Sequence, residues 1–136
     1  MISVAEALRR VLDGVERMPA ESVSLAAAHG RVLARDVVAR LTQPPSDVSA
    51  MDGYAVRLAD VASVPATLTQ IGEAAAGKAF DGAIGPGQTA RIFTGAPVPM
   101  GADAIVIQED TTASDDKITV TEAVSLGSYI RPAGLD

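Results

Sequence analysis

The sequence predicts a mainly β fold with an N-terminal helix, an α+β chain whose second part is a small barrel or sandwich. An apolar stripe with helical spacing near the N-terminus predicts the helix. After residue 50, short runs rich in β-branched residues alternate with Gly and Pro, which is typical of short strands joined by turns. Two consecutive prolines, Pro44 and Pro45, separate the two patterns. We therefore expect a helical leading segment over 1-43 and a β-rich part over 44-136.

The helix is predicted over Ser3 to Asp13 because its first residues form a capping box. Ser3 can accept a hydrogen bond from a free N–H group, and Glu6 follows three residues later. Gly14 is suited to end the helix, since glycine tolerates the left-handed conformation. One face of the helix is apolar and needs a surface to pack on; it carries Val4, Ala7, Leu8, Val11 and Leu12.

The rest of the leading segment carries weaker signals. Ser22 to Ser24 is interpreted as a short strand, and Leu25 to Ala28 as a brief helix that ends at Gly30. The run from Val32 to Val38 is apolar enough to predict burial. The segment from Gln43 to Asp47 contains both prolines, breaks any regular element and marks the boundary between the two parts.

Five short strands are predicted in the second part. Ala104 to Gln108 and Lys117 to Thr121 are expected to pair as a hairpin, and the polar residues 109–116 are expected to form its solvated loop. The other three strands are expected over Tyr54 to Leu58, Ala66 to Ile71 and Thr89 to Phe93.

Composition excludes several classes of site. The chain has 11 Lys and Arg against 17 Asp and Glu, a net charge of -6, so it lacks the clustered cations that nucleic-acid backbones require. It has no cysteine and one histidine, His29, which excludes thiolate zinc sites and multi-histidine metal sites. No apolar run approaches the ~20 residues of a membrane span, and charges interrupt the N-terminus where a signal peptide is apolar. We expect a soluble cytoplasmic protein with no nucleic-acid or membrane partner.

Two loops carry candidate chemistry. In the first, Ser49 and Asp52 precede Gly53, just beyond the rigid Pro-Pro segment. Asp-Gly is a common turn signal, but a carboxylate on a fixed loop could also take part in a magnesium site, and both interpretations stay open. In the second, Thr94 and Gly95 follow a predicted strand, where a hydroxyl and turned N–H groups could hold an oxyanion. An ordinary turn at a strand end is the alternative.

Three other patterns are interpreted as structural. Gly85 to Ala90 matches G-x-G-x-x-A, but strand-like residues follow it where a dinucleotide fingerprint needs a helix. The acidic residues within 109–116 lack the EF-hand spacing for calcium. His29 stands beside a glycine without a second histidine or a cysteine, which favours a structural or exposed role.

Several segments together resemble the molybdopterin molybdenumtransferase family, the MoeA-type enzymes related to the C-terminal part of gephyrin. The most specific matches are Ser49 to Ala55 (SAMDGYA) and Thr94 to Ala104 (TGAPVPMGADA). Gly30 to Ala34, Gly72-Glu73 and the closing residues Ile130 to Gly134 match in the family's order. The resemblance therefore extends over nearly the whole chain.

The resemblance implies both a fold and an activity. Members of the family insert molybdate into adenylylated molybdopterin with Mg²⁺ and release AMP. Their active site lies between an inserted, distorted β-barrel domain of one subunit and the pterin-binding domain of its dimer partner. The chain resembles only the leading segment and the inserted barrel, without the pterin-binding and C-terminal domains. We therefore expect the N-terminal part of such an enzyme, inactive by itself and homodimeric in the full-length protein.

The resemblance also implies roles for individual residues. Asp52 and Thr94 match catalytic positions on the barrel side of the active site. Asp52 is implied to bind the metal or to orient the exchange of pterin and molybdate, and Thr94 to donate a hydrogen bond to oxyanion or nucleotide oxygens. Four residues are implied candidates for substrate binding, namely Ser49, Gly53, Gly95 and Arg91. The Arg91 side chain could pair with an anion or with a neighbouring carboxylate.

Two other functions remain as alternatives. The gephyrin resemblance allows a non-catalytic binding or scaffold module, and a coding frame that continues beyond Asp136 would favour the enzyme over it. The turn after Thr94 allows a stand-alone oxyanion-binding module, which calorimetric titration with molybdate would test.

Overall fold

The computed structural model describes all 136 residues and divides them into two compact units, Met1–Val38 and Ala39–Asp136. The chain is mostly strand with one α-helix, and the six-stranded sheet of the second unit curls into half a barrel. This architecture confirms the predicted fold class. None of the helices combines the length and apolarity that crossing a bilayer demands.

Helix α1 (Val4–Leu12) begins where the capping box predicts. The Ser3 side chain accepts a hydrogen bond from the Glu6 N–H at 3.2 Å, which satisfies one free donor of the first turn. The Glu6 carboxylate in turn accepts hydrogen bonds from Arg9 and Arg10. These two partners, Arg9 more than Arg10, hold the pKa of Glu6 below its ordinary value.

The remainder of the first unit is irregular and exposed, which corrects two predictions. Leu25–Ala27 forms one 3₁₀ turn within the predicted brief helix. Ser22 to Ser24 forms no strand, because no other strand of this unit offers it a partner. Val32 to Val38 is not buried, and Val32 is 94% accessible. Burial needs an opposing apolar surface, and no residue from Met1 to Val38, the apolar face of α1 included, is buried.

Eight strands form the second unit. They are β1 (Val48–Ser49), β2 (Gly53–Val56), β3 (Ala66–Ala74), β4 (Gln88–Ile92), β5 (Ala104–Ile107), β6 (Thr111–Ser114), β7 (Lys117–Val120) and β8 (Ile130–Arg131). The large sheet has the order β5-β2-β4-β3-β7-β6, and every neighbouring pair is antiparallel except the parallel pair of β3 and β4. A separate antiparallel pair joins β1 to β8. Strands β2 and β4 therefore lie inside the sheet and not at its edges.

The predicted hairpin between Ala104 to Gln108 and Lys117 to Thr121 is wrong. Strand β5 pairs with β2, whereas β7 pairs with β3 and β6. Residues 111–114, expected in a loop, form β6, which makes a tight hairpin with β7 through Asp115 and Asp116. Asp115 has φ 53°, a left-handed conformation that short hairpin turns need and that Asp tolerates. The local turn forms instead of the longer loop because closing it loses less chain entropy.

Aliphatic side chains are buried on both faces of the large sheet. One cluster surrounds Val56, Val106 and Ile118, and a second cluster surrounds Ile92 and Ile105. All five of these side chains are completely buried. Burial on both faces makes the central strands a rigid base for the loops at their ends.

Candidate functional site

The two candidate loops meet because β2 and β4 are antiparallel neighbours. Gly53, the first residue of β2, pairs with Ile92, the last residue of β4. The loop before β2 and the turn after β4 therefore leave the sheet side by side. This register brings Asp52 into contact with Thr94, 42 residues later in the sequence.

Thr94 holds the Asp52 carboxylate through two hydrogen bonds. Oδ1 of Asp52 accepts one from the Thr94 N–H and one from the Thr94 hydroxyl, each at 2.8 Å, whereas Oδ2 accepts none. The Thr94 N–H and then its hydroxyl are the main reasons why the pKa of Asp52 lies below its ordinary value. Partial burial opposes them, and the positive charge of Arg91 adds a smaller lowering. Asp52 is therefore an ionised, half-buried group with one free oxygen.

Ser49 supports the first loop from inside. Its side chain is buried, and its hydroxyl donates to the Met51 carbonyl oxygen at 2.6 Å. Its N–H donates to the Ala96 carbonyl at 2.9 Å, and its own carbonyl accepts from the Gly95 N–H at 2.8 Å. The loop before β2 is thus joined to the turn after β4 by main-chain hydrogen bonds as well as by Asp52.

The turn after β4 uses its N–H groups within the protein. The Ala96 N–H donates to the Phe93 carbonyl at 2.9 Å and closes a β-turn. Gly95 has φ 81° in this turn, a conformation that favours glycine. The N–H groups of residues 94–96 donate hydrogen bonds, in order, to the Asp52 carboxylate, the Ser49 carbonyl and the Phe93 carbonyl. None of the three is free to hold an oxyanion, so the turn acts as a clamp on the first loop.

Gly53 lies where two strands approach closely. A Cβ at this position would lie 2.0 Å from the Val106 carbonyl oxygen of β5. Immediately beside it, the Gln108 N–H donates to the Asp52 carbonyl at 3.1 Å. The absence of a side chain at Gly53 therefore lets β5 and the residue after it support the Asp52 main chain.

Arg91 is a half-buried cation between two aromatic rings. Its Cα is the register partner of Tyr54 in β2. The guanidinium carbon lies 5.0 Å from the ring centroids of both Tyr54 and Phe93, within the range of a cation–π interaction. Arg91 also donates a hydrogen bond of 2.5 Å to Oε1 of Gln108 and makes no ion pair with a carboxylate.

The chain offers a single carboxylate oxygen for a metal ion at this site. No three His, Asp or Glu side chains lie close enough together to form a protein cage around a metal. Oδ2 of Asp52 is available, and Mg²⁺ is commonly held by one or two carboxylates together with water and substrate phosphates. Asp52 thus fits a magnesium site that is shared with other ligands.

The structure brings the predicted site residues together to different degrees. Asp52 and Thr94 are in direct contact, whereas Ser49, Gly53 and Gly95 form the main chain around them. Three further residues, missed in the sequence, connect Arg91 to this pair: Tyr54, Phe93 and Gln108. Phe93 lies two residues from Arg91 in the same segment, whereas only the pairing of β2, β4 and β5 brings Tyr54 and Gln108 beside Arg91.

The structure locates two of the patterns that were interpreted as structural. Gly85 to Ala90 leads into strand β4 and not into a helix. His29 is exposed in the first unit.

Comparison with known proteins gives consistent matches. The family described as the MoeA N-terminal region (domain I and II) matches residues 2–136. A molybdopterin molybdenumtransferase from Nostoc sp. is 43% identical over 115 residues, which cover 82% of this chain and 26% of the relative. Molybdopterin molybdenumtransferase 2 from Mycobacterium tuberculosis is 40% identical over 140 residues, which cover 100% of this chain and 35% of the relative.

Solved structures agree with these matches. The crystal structure of a molybdopterin biosynthesis MoeA protein from Pyrococcus horikoshii aligns with a TM-score of 0.80 at 37% identity, over 97% of this chain and 36% of that chain. A second structure of a MoeA protein from the same organism aligns with a TM-score of 0.69 at 30% identity. The chain spans about a third or less of the curated relatives it matches.

Proposed function

Because the chain belongs to the MoeA N-terminal family, we propose that it supplies one side of the active site of a molybdopterin molybdenumtransferase. The observation that carries this proposal is the Asp52 carboxylate, which Thr94 holds through Oδ1 while Oδ2 stays available. The complete enzyme inserts molybdate into adenylylated molybdopterin and releases AMP. The names of the relatives from Nostoc and Mycobacterium tuberculosis support this choice of reaction.

Asp52 is the negatively charged group of the site. The carboxylate is ionised at neutral pH, as an ordinary aspartate is, and its lowered pKa extends the ionised range to more acidic pH, so that Oδ2 can attract a cation. When Mg²⁺ is bound, Oδ2 of Asp52 would be its ligand from this chain, and the ion would offset negative charge on the substrate oxygens. The rigid sheet beneath the loop keeps that oxygen in one position.

Thr94 positions Asp52 in this proposal. A threonine hydroxyl has one hydrogen, and Thr94 donates it to Asp52. The hydroxyl can therefore accept a further hydrogen bond, but it can donate to a substrate oxygen only after releasing Asp52. Ser49 and Gly95 are likewise engaged inside the loops, so we assign them, with Gly53, to loop support.

The cations that bind the substrates come from outside this chain. Molybdate and the adenylylated pterin are anions, whereas the chain has a net charge of -6 and presents a carboxylate at the site. We therefore propose that the pterin-binding side of the site lies on another subunit, as the family resemblance implies for a homodimer. In this arrangement the 136-residue chain alone has no catalytic activity.

A chimeric enzyme tests the proposal. Residues 1–136 would replace the matching region of the Mycobacterium tuberculosis relative, to which the whole chain aligns. The assay is molybdate-dependent release of AMP from adenylylated molybdopterin. We expect Asp52→Asn to lower the rate about 100-fold or more, because the free oxygen loses its charge. Thr94→Val should lower it about 10- to 100-fold through misplacement of Asp52.

Matched controls separate chemistry from folding. Asp81→Asn and Thr112→Val change exposed side chains without hydrogen-bond partners, and both should leave the rate unchanged. The proposal is wrong if the Asp52→Asn chimera, folded by circular dichroism, releases AMP as fast as the unsubstituted chimera. A folded chimera that never releases AMP, although the parent relative does, would favour the scaffold module instead.

A further inference from the structure

Five residues around the candidate site form a closed circuit of contacts. Asp52 binds Thr94 through its carboxylate, and Thr94 follows Phe93 in the chain. The Phe93 ring lies against the Arg91 guanidinium, which donates to the Gln108 side chain. Gln108 completes the circuit because its N–H donates to the Asp52 carbonyl. Arg91 is therefore connected to Thr94 through Phe93 and to Asp52 through Gln108.

We propose that Arg91 and Gln108 are positioning residues that fix Asp52 against Thr94, and that neither of them contacts the substrate. The proposal deepens the proposed function and rests on it for its catalytic consequence. Its structural part, that the circuit holds the Asp52–Thr94 contact, stands on the geometry of this chain alone.

The position of Arg91 suits this role. Its guanidinium lies between Tyr54, two residues after Asp52, and Phe93, one residue before Thr94. It thus contacts both of the strands that carry the two loops. A planar guanidinium stacks on rings and donates in fixed directions at the same time, which a lysine ammonium cannot do. Arg91 therefore restricts the relative movement of the two loops.

The position of Gln108 makes it the second essential part of the circuit. Its main chain supports Asp52 from the end of β5, and its side-chain Oε1 accepts from Arg91. A side chain without an acceptor would release Arg91 on this side. A glutamate would keep the acceptor and add an attractive charge for Arg91, and it would give up only the 3.3 Å hydrogen bond that Gln108 Nε2 donates to Glu109. Gln108→Glu is therefore the conservative variant that should preserve the circuit.

Hydrogen exchange in the 136-residue chain tests the structural part. The probe is the Thr94 amide, which donates to Asp52. We expect Arg91→Met and Gln108→Met each to speed its exchange by about tenfold or more, whereas Gln108→Glu changes it less than about twofold. The Ile84 amide, bonded to the Met100 carbonyl outside the sheet, reports whether the second unit stays folded away from the site.

Arg57→Met is the matched control for the loss of a cation. Arg57 lies in the same unit, and its weak ion pair with Asp60 is 3.8 Å long. Its removal should leave Thr94 exchange unchanged. The proposal is overturned if the Thr94 amide of the Arg91→Met and Gln108→Met variants exchanges at the same rate as in the unsubstituted chain while the Ile84 amide stays protected.

Kinetics in the chimera test the catalytic part. As positioning residues, Arg91→Met and Gln108→Met should lower kcat about tenfold and leave KM for adenylylated molybdopterin within about twofold, and Gln108→Glu should restore kcat. A rise in KM for Arg91→Met alone, with Gln108→Met unaffected, would identify Arg91 as a direct anion ligand and overturn the proposal. Faster Thr94 exchange in a chimera without activity would support the circuit and count against the proposed function.

Discussion

Replacing Gly53 by alanine tests whether the candidate site depends on close packing of β2 against β5. The added Cβ would lie 2.0 Å from the Val106 carbonyl oxygen and 2.9 Å from its carbonyl carbon. Both atoms belong to the main chain, so no change of rotamer removes the clash. Ordinary contact begins at 3.4 Å, and the two strands must therefore separate by more than an ångström.

The expected loss of stability follows from two effects. Forcing an extra methyl group into a packed region costs about 1–3 kcal/mol. Separation of β2 from β5 also weakens ladder hydrogen bonds next to Gly53, each worth about 1 kcal/mol. Gly53→Ala should therefore lower the free energy of unfolding by about 3 kcal/mol. For a domain of this size that corresponds to a fall in Tm of roughly 12–24 °C.

Thermal unfolding followed by circular dichroism measures this change directly. Gly85→Ala is the matched control, because its Cβ would meet only side-chain atoms of Gln88, at 3.0 Å, and no main-chain atom, although Gln88 Oε1 accepts a hydrogen bond from the Gly85 N–H. We expect its Tm to stay within about 4 °C of the unsubstituted chain. A Gly53→Ala chain that melts no earlier than Gly85→Ala would refute the argument that strand contact demands glycine here.

Three further predictions concern side-chain hydrogen bonds. Thr94→Val removes one of the two hydrogen bonds on Oδ1 of Asp52, so the pKa of Asp52 should rise toward its ordinary value. An NMR titration of the carboxyl carbon measures this pKa, and an unchanged value would contradict the contact. The pKa of Glu6 is lowered in α1, so the ionised carboxylate stabilises the helix at neutral pH, and this stabilisation should be lost as the pH falls through that pKa. The helical chemical shifts of α1 should then weaken with falling pH, whereas in Glu6→Gln they should not depend on pH in this range. Thr89→Val deletes a buried hydroxyl that donates to the Ala55 carbonyl at 2.8 Å; chemical denaturation should show a loss of about 1–3 kcal/mol, and no loss would mean that the hydroxyl adds nothing to stability.

Local patterns predicted much of the secondary structure. The capping box of Ser3 and Glu6 located the start of α1, because capping depends on residues that are close in sequence. β-Branched runs likewise located strands β2, β3, β4, β5 and β7 to within a few residues. These elements were predictable since their own side chains favour them.

Pairing and burial were less predictable. The segment 111–114 has enough β-branched character to pair, and the turn at Asp115 lets it do so locally, which displaced the expected long hairpin. The apolar run from Val32 to Val38 has no opposing surface in its unit and stays exposed. An apolar segment favours burial, but it is buried only where another surface of the protein packs against it.

Sequence reasoning alone identified the family resemblance, the mainly β class and the two loops that contain Asp52 and Thr94. The fold is what brings these two residues into contact, because the register of Gly53 on Ile92 places their loops side by side. It also makes Gln108 a neighbour of the site. Chemistry at one residue is visible in a sequence, whereas contacts across strands depend on register, and register is set by the packing of the whole sheet.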